Sequence, residues 1–279
     1  MNQAIRTGIL LLVCCISVRY AHAQSMARST DSSKNSVRQV HQNVKQVRQA
    51  PKGPKAIKHE LSVGIRLNTD GWSAFADLGK VKPLDSKRKD MFYKVRLFQL
   101  EMTEKKDPRE EKITAVVPST SGGSPKYVYG KINNFYALKL GIGFMRMIAG
   151  KPDPGAVSIH WLNVIGASLG MLKPYYVNTS SDPSAIKYSS STESDFLNQG
   201  VIEGSAGFSK GLSEMQFIPG AHLKTALHFD FSANRKNVIG AEAGLNVEYY
   251  SQSIALMATQ NATPYFVDAY VSFQFGRRW

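Results

Sequence analysis

The chain predicts an all-β fold: an eight-stranded antiparallel transmembrane β-barrel, preceded by a signal peptide and a flexible basic arm. Three observations carry this. Between Tyr265 and Phe275 the residues alternate, with Tyr265, Val267, Ala269, Val271, Phe273 and Phe275 on one face and Phe266, Asp268, Tyr270, Ser272 and Gln274 on the other. A period of two belongs to an extended strand, whose successive side chains point to opposite sides, and the length matches the about 9–11 residues of a tilted membrane-crossing strand. Beyond the leader, no segment approaches the ~18 consecutive apolar residues of a membrane helix, so a closed barrel is the remaining way to satisfy every backbone N–H and C=O in a bilayer. Finally, the two longest connections follow the third and fifth strands while those after the fourth and sixth are short, as in barrels with tight turns at one end and long loops at the other.

In chain order, Arg6 supplies a positive n-region, Gly8–Val18 an apolar run, and Ala21-His22-Ala23 the small residues that a signal peptidase reads. Residues 1–23 are therefore expected to leave, with cleavage before Gln24. The apolar run is too short for a span, and Val13 is not the small residue a lipoprotein site wants before Cys14. Cys14 and Cys15 are the only cysteines, so the mature chain has none, which excludes disulfides and thiolate metal sites. The formal charge of +14 falls to +12 once Arg6 and Arg19 are gone. Export argues against nucleic acid as the partner of that charge and favours anionic lipid headgroups or acidic glycans. Residues 24–57 are rich in Ser, Gln, Lys and Arg and hold no aromatic residue. Val37, Val40, Val44 and Val47 make a helical stripe too short and too β-branched to stand alone, and Pro51, Gly53 and Pro54 end it. A flexible basic periplasmic arm is expected there.

The barrel proper is expected over 58–279. Leu61, Val63, Ile65 and Leu67 alternate with Ser62, Gly64 and Arg66, and Asn68-Thr69-Asp70-Gly71 turns the chain into a second strand, Trp72–Leu78. The third strand, Met91 to about Thr103, changes apolar phase from Tyr93, Val95 and Leu97 to Phe98, Leu100 and Met102, which predicts a β-bulge near Leu97. A polar stretch follows from Glu104 through Ser119–Ser124. The fourth strand sets Tyr136, Leu138, Leu140, Ile142 and Phe144 against Ala137, Lys139, Gly141 and Gly143, and Lys151–Gly155 turns. The fifth sets Val157, Ile159, Trp161, Ile165, Ala167, Leu169 and Met171 against Ser158, His160, Gly166, Ser168 and Gly170. After the polar stretch Val177–Gln216, the sixth sets Leu223, Leu227, Phe229 and Phe231 against His222, Lys224, His228 and Asp230. The seventh sets Ile239, Ala241, Ala243, Leu245 and Val247 against Gly240, Glu242, Gly244, Asn246 and Glu248, and a loop Ser251–Pro264 leads to the last strand.

The polar faces mix glycine with charges of both signs. A lumen charge network of Lys94, Arg96, Lys139, Glu242, Glu248 and Asp268 is expected, since charges deep in a narrow barrel must be paired. A soluble barrel would reverse the faces, with its apolar side inward. A lumen of eight strands is normally filled by side chains, which disfavours a general porin.

Gly64–Lys80 (GIRLNTDGWSAFADLGK), Leu97–Lys112 (LFQLEMTEKKDPREEK), Tyr127–Gly141 (YVYGKINNFYALKLG) and Leu169–Tyr176 (LGMLKPYY) resemble outer-membrane β-barrel proteins of Bacteroidetes-type bacteria, grouped with the PorT-like barrels. The resemblance covers nearly everything after Lys58. It implies the barrel, the Gram-negative outer membrane, and reading of the last strand by the barrel-insertion machinery. For some members it implies a link to other envelope or secretion proteins. It implies no reaction.

No Walker motif, HExxH, GxSxG or Cys/His metal spacing is present, and no cofactor or metal is expected. Ser158, His160, His222, His228 and Asp230 hold the residue types of a nucleophilic hydrolase, yet the same residues serve as lumen filling. An external-rim binding set is expected at Lys105, Lys106, Lys131, Asn133, Asn134, Lys173, Tyr175 and Tyr176, where the tyrosines also suit an interfacial girdle. The expected function is an integral outer-membrane barrel with a structural or binding role through its external loops or arm. A barrel hydrolase acting on lipid or peptide and a small-ligand transport barrel stand as alternatives.

Overall fold

The structure, a computed structural model, describes residues 57–83, 92–116, 125–150, 156–182, 184–232 and 236–279. The expected signal peptide, the basic arm up to residue 56, the run Ser119–Ser124 and the turn Lys151–Gly155 lie outside the described residues.

Eight long strands close on themselves: β1 (His59–Asn68), β2 (Gly71–Pro83), β3 (Phe92–Lys105), β6 (Asn133–Gly150), β7 (Ser158–Pro174), β11 (Gln216–Asp230), β12 (Asn237–Ile254) and β13 (Thr263–Arg278). Each pairs antiparallel with its neighbour in sequence, and β1 pairs with β13 to shut the barrel, from Glu60 opposite Arg278 to Asn68 opposite Tyr270. The remaining strands are short and belong to two connections at one end. They are β4 (Lys112–Thr114), β5 (Lys126–Val128), β8 (Tyr176–Thr179), β9 (Ile186–Lys187) and β10 (Ile202–Ser205), with a helical turn α1 (Glu193–Phe196). We call this the loop end and the opposite one the turn end. The last connection is shorter than the alternation alone gave, because β12 runs on to Ile254 and β13 begins at Thr263.

The barrel is inside out relative to one made for water. On β1, Val63, Ile65 and Leu67 are 55–61% exposed while the inward Ser62 and Arg66 are each 1% exposed. Lipid is the solvent in which such an outer wall is favourable, and the closed ladder leaves no strand edge to desolvate. Among the described residues no helix is long and apolar enough to cross a membrane. Outward aromatics stand near both ends: Trp72, Phe217, Tyr249 and Tyr265 at the loop end; Trp161, Phe231, Phe275 and Trp279 at the turn end. From Tyr265 to Phe275 the chain climbs roughly 33 Å at about 3.3 Å per residue, and a tilt of about 40° leaves roughly 25 Å of height, the apolar band of this class.

β3 corrects the sequence expectation. Its pairing with β6 runs without a register shift from Lys94 opposite Arg146 to Lys105 opposite Phe135, so no bulge lies near Leu97. Val95 and Leu97 point inward and are buried, whereas Arg96 is exposed and Lys94 half-buried on the outer face. These two cations are therefore not lumen residues. The apolar phase changes because the lumen itself changes: at the turn end, β2, β3, β6 and β7 send Val81, Val95, Leu97, Met145, Leu162 and Val164 into an apolar plug. Past the bilayer's apolar band, the outer face is then free to carry charge.

Two sites show how glycine permits close approach in this wall. At the β1–β2 turn Gly71 has φ +151°, and a Cβ there would stand 2.0 Å from the Glu104 carbonyl oxygen. At mid-barrel Gly141 on β6 faces Gly166 on β7, leaving room for the ring of His222. A Cβ on Gly166 would lie 2.0 Å from the Leu140 carbonyl oxygen and 2.7 Å from that ring. Gly166→Val is expected to destabilise the folded barrel by about 2–3 kcal/mol or block closure, seen as loss of the fast-migrating unboiled band on a denaturing gel that the parent protein should show in detergent or lipid.

Candidate functional site

The lumen is built from the inward halves of the alternating strands. Arg66, Glu101, Lys105, Lys139, Lys224, Glu242, Glu248 and Asp268 are each no more than 2% exposed. Glu101 is their hub. It accepts from Arg66 on β1, from Lys224 on β11 and, at 3.2 Å, from Lys139 on β6. Lys139 also bonds Glu248 across the barrel, while Lys105 reaches Asp70 at 2.5 Å, Asp268 at 2.8 Å and Glu248 at 3.3 Å. Tyr250 donates to Glu248 at 2.6 Å, and Asn246 donates to both Glu248 (2.6 Å) and Asp268 (2.9 Å). The Arg66 guanidinium, 3.3 Å from Glu242, lies 4.3 Å from the ring centres of both Phe75 and Tyr270. Above this belt, Phe135, Ile218, Tyr250, Ile254, Leu256 and Met257 form a second apolar layer. Charges held between two apolar layers attract strongly, and each unpaired one would be costly.

The hydrolase residues do not form a triad. Asp230 bonds Arg278, which in turn bonds Glu60 at 2.6 Å, and His228 faces Glu242 at 3.2 Å and Gln274 at 3.1 Å. His222 pairs with Ser168 at 3.0 Å. The rings of His160 and His228 meet edge to face at 5.9 Å, and Ser158 sits opposite Asp230 in the ladder. All three histidines are buried in the wall's interior. Among the described residues, no group of three or more His, Asp or Glu side chains is arranged to hold a metal ion.

The loop end carries a cap with its own core, Ala115, Tyr127, Val177, Ile186, Phe196 and Ile202. Backbone bonds from Ile132 to Leu256 (2.8 Å) and from Ala258 to Gly130 (2.7 Å) tie the segment leading into β6 to the β12–β13 connection. Between cap and rim opens a cavity of about 590 Å³. Lys106, Lys112, Lys126, Lys131 and Lys173 line it against Glu104, Asp107 and Glu110, with Tyr127, Tyr136, Tyr175, Tyr176 and Phe208 as aromatic wall. Lys131 is held by Glu110 at 2.7 Å, and Lys173 donates to the Phe208 carbonyl at 2.5 Å, 4.2 Å from that ring's centre. Lys106, Lys112 and Lys126 are exposed. At the margin Glu214 accepts from Lys187 and, at 2.6 Å, from Tyr176. Those two donors hold its carboxyl below the ordinary range, and the same ion pair raises Lys187.

Of the expected rim residues, Lys106, Lys131, Asn134, Lys173, Tyr175 and Tyr176 line this cavity. Asn133 instead bonds the Ala255 carbonyl at 2.8 Å. Lys105 is a correction: it turns into the lumen and is 1% exposed, because it shares the inward phase of Gln99, Glu101 and Thr103. Of the expected lumen charges, Lys139, Glu242, Glu248 and Asp268 are brought together, and Lys94 and Arg96 are not. The network residues that sequence reasoning missed are Glu101, Arg66 and Lys224. Arg66 lies between Ile65 and Leu67 and Glu101 between Leu100 and Met102, two outward apolar neighbours that mark a lumen charge, whereas Lys224, between Leu223 and Thr225, carries only half of that signal.

No protein-family model matches the chain, nor does any curated protein. Solved structures similar to it include neisserial surface protein A, at 8% identity over 82% of this chain and 100% of that one, TM-score 0.40. Another is the attachment invasion locus protein Ail of Yersinia pestis in complex with the heparin analogue sucrose octasulfate, at 8% identity over 80% and 99%, TM-score 0.37. A third is the N-terminal β-barrel domain of Pseudomonas aeruginosa OprF, at 11% identity over 80% and 97%, TM-score 0.34. At such identities no residue role transfers.

The hub should be the most sensitive place in the lumen. Glu101→Gln is expected to cost about 3–5 kcal/mol, since Arg66, Lys139 and Lys224 then share too little negative charge. Lys139→Met should cost less, because Glu101 and Glu248 keep other donors, and a second change, Glu248→Leu, should return part of the loss. Urea unfolding in lipid vesicles measures all three.

Proposed function

We propose that this chain is an integral outer-membrane β-barrel that binds an acidic ligand at the cell surface through its loop-end cavity and performs no chemical step. The observation that carries this reading is the cavity itself, an aromatic-walled cup of about 590 Å³ with exposed lysines at its mouth, above a lumen filled by paired charges. Aromatic faces and tyrosine hydroxyls accommodate sugar rings, exposed lysines attract carboxylate or sulfate, and the internal Lys131–Glu110 pair keeps the floor polar without adding net charge. An anionic glycan fits this chemistry. The long loops face outward and the turn end faces the periplasm, by the rule that such barrels keep short turns on the periplasmic side. The signal peptide, the periplasmic arm, delivery by the barrel-insertion machinery, kinship with PorT-like barrels and contact with envelope or secretion proteins belong to this proposal. A channel for small ligands is disfavoured by the filled lumen, and a hydrolase by histidines whose partners are Glu242, Gln274 and Ser168.

Sulfated and uronic-acid oligosaccharides, with uncharged analogues as controls, test the reading on the detergent-folded protein. Lys112→Glu together with Lys126→Glu should weaken binding of the anionic sugars about tenfold or more, and high salt should do the same. Unchanged affinity in the double variant, or equal binding of the uncharged analogues, would remove the acidic-ligand assignment.

A further inference from the structure

At the turn end of β2, β3 and β6 the outward face stops being apolar and becomes cationic. Lys80 stands opposite Arg96, Lys82 opposite Lys94, and Lys94 in turn opposite Arg146. Lys80, Lys82, Arg96 and Arg146 are exposed and Lys94 is half-buried. Like charges directly opposite on a sheet face repel. Among the described residues, no carboxylate pairs with Lys80, Lys82, Lys94 or Arg96. One step toward the middle of the wall the same strands present Leu78 and Phe98, 54% and 45% exposed. An open groove of about 430 Å³ joins the two levels, lined by Lys80 and Arg96, by Leu78 and Phe98, and by His59 and Trp279. The last two stack with ring centres 6.1 Å apart.

An occupant of this groove must be anionic at one level and apolar at the next. A soluble anion meets the first demand alone, and a neutral lipid meets the second alone. The cations span three adjacent strands, roughly 10 Å at about 4.8 Å per strand, which suits a headgroup with its glycerol phosphate rather than a single small ion. We propose that the turn end of this wall is a seat for an anionic glycerophospholipid of the surrounding leaflet. Its phosphate lies between Lys80 and Arg96, its headgroup faces Lys82, Lys94 and Arg146, and an acyl chain lies along Leu78 and Phe98. The ligand relieves the cross-strand repulsion that the folded wall creates, so it also favours the paired register of β2 with β3. The proposal rests on the reading of the chain as a membrane-spanning barrel, and it is independent of the loop-end cavity.

The test uses the whole chain in bilayer nanodiscs of phosphatidylcholine with a minority of phosphatidylglycerol, and native mass spectrometry of the lipids it retains. The parent protein should retain phosphatidylglycerol above its share of the bilayer. Lys80→Gln with Arg96→Gln should reduce that enrichment by about fivefold for each cation removed, while Lys80→Arg should keep it. Lipids retained in the bilayer's own proportion, an enrichment that survives the double variant, or one that inorganic phosphate strips away would each overturn the proposal. The boiled and unboiled gel bands in phosphatidylcholine alone separate this from failure of the barrel reading. A protein that folds there but shows no enrichment sinks the lipid seat, and one that folds in neither bilayer sinks both.

Discussion

One buried carboxylate, Glu101, holds three cations that arrive from three different strands, β1, β6 and β11. Everything else in the barrel is arranged so that this can happen away from water. The outer wall is apolar, and lipid gives one apolar side chain little advantage over another. Strand register in this barrel is therefore set from the inside, where a slip of one residue would turn Arg66 or Lys139 into lipid and leave Glu101 without partners. The network acts as internal bracing, and its specificity comes from the cost of an unmatched buried charge rather than from the net strength of each pair.

The two apolar layers give that belt its low-dielectric surroundings. Toward the turn end, Leu97, Leu162 and Val164 fill one wall, while the opposite wall continues polar through His228, Glu242, Asp230 and Arg278. Toward the loop end, Phe135 and Tyr250 pack edge to face at 5.1 Å and close the lumen below the cap. The lumen is occupied by its own side chains, and accessible cations stand at the two rims where binding is proposed: Lys112 and Lys126 at one, Lys80 and Arg96 at the other.

The two rims differ in what surrounds the cations. At the loop end they sit among tyrosines and carboxylates in a concave cup, which favours a compact polar ligand that fits between them. At the turn end they line an open groove beside the outward Leu78 and Phe98, the setting in which a ligand that continues into the membrane is proposed. The same residue type is thus surrounded by different chemistry at the two rims.

Alternation alone determined the strands and, for most of them, which face looks inward: Lys139, Glu242, Glu248 and Asp268 were legible because each sits between apolar neighbours that have no reason to be inside. The same rule marked Glu101 and Arg66, but a period of two ranks no residue above its equals, and it cannot reveal that one carboxylate collects three donors from strands far apart in sequence. It misread Lys94 and Arg96 because the sign of the inner face reverses where the strand leaves the apolar band, a position set by tilt and closure. It placed Lys105 on the rim because the length of β3 was unknown. The cap between Val177 and Gln216 was illegible for a related reason: strands of two to four residues carry no period, and their pairing depends on a core assembled from Tyr127, Phe196 and Ile202. Local periodicity in the sequence decided what each strand is. Only closure of the barrel decided which charges meet, since their distance is fixed by stagger across the lumen and not by spacing along the chain.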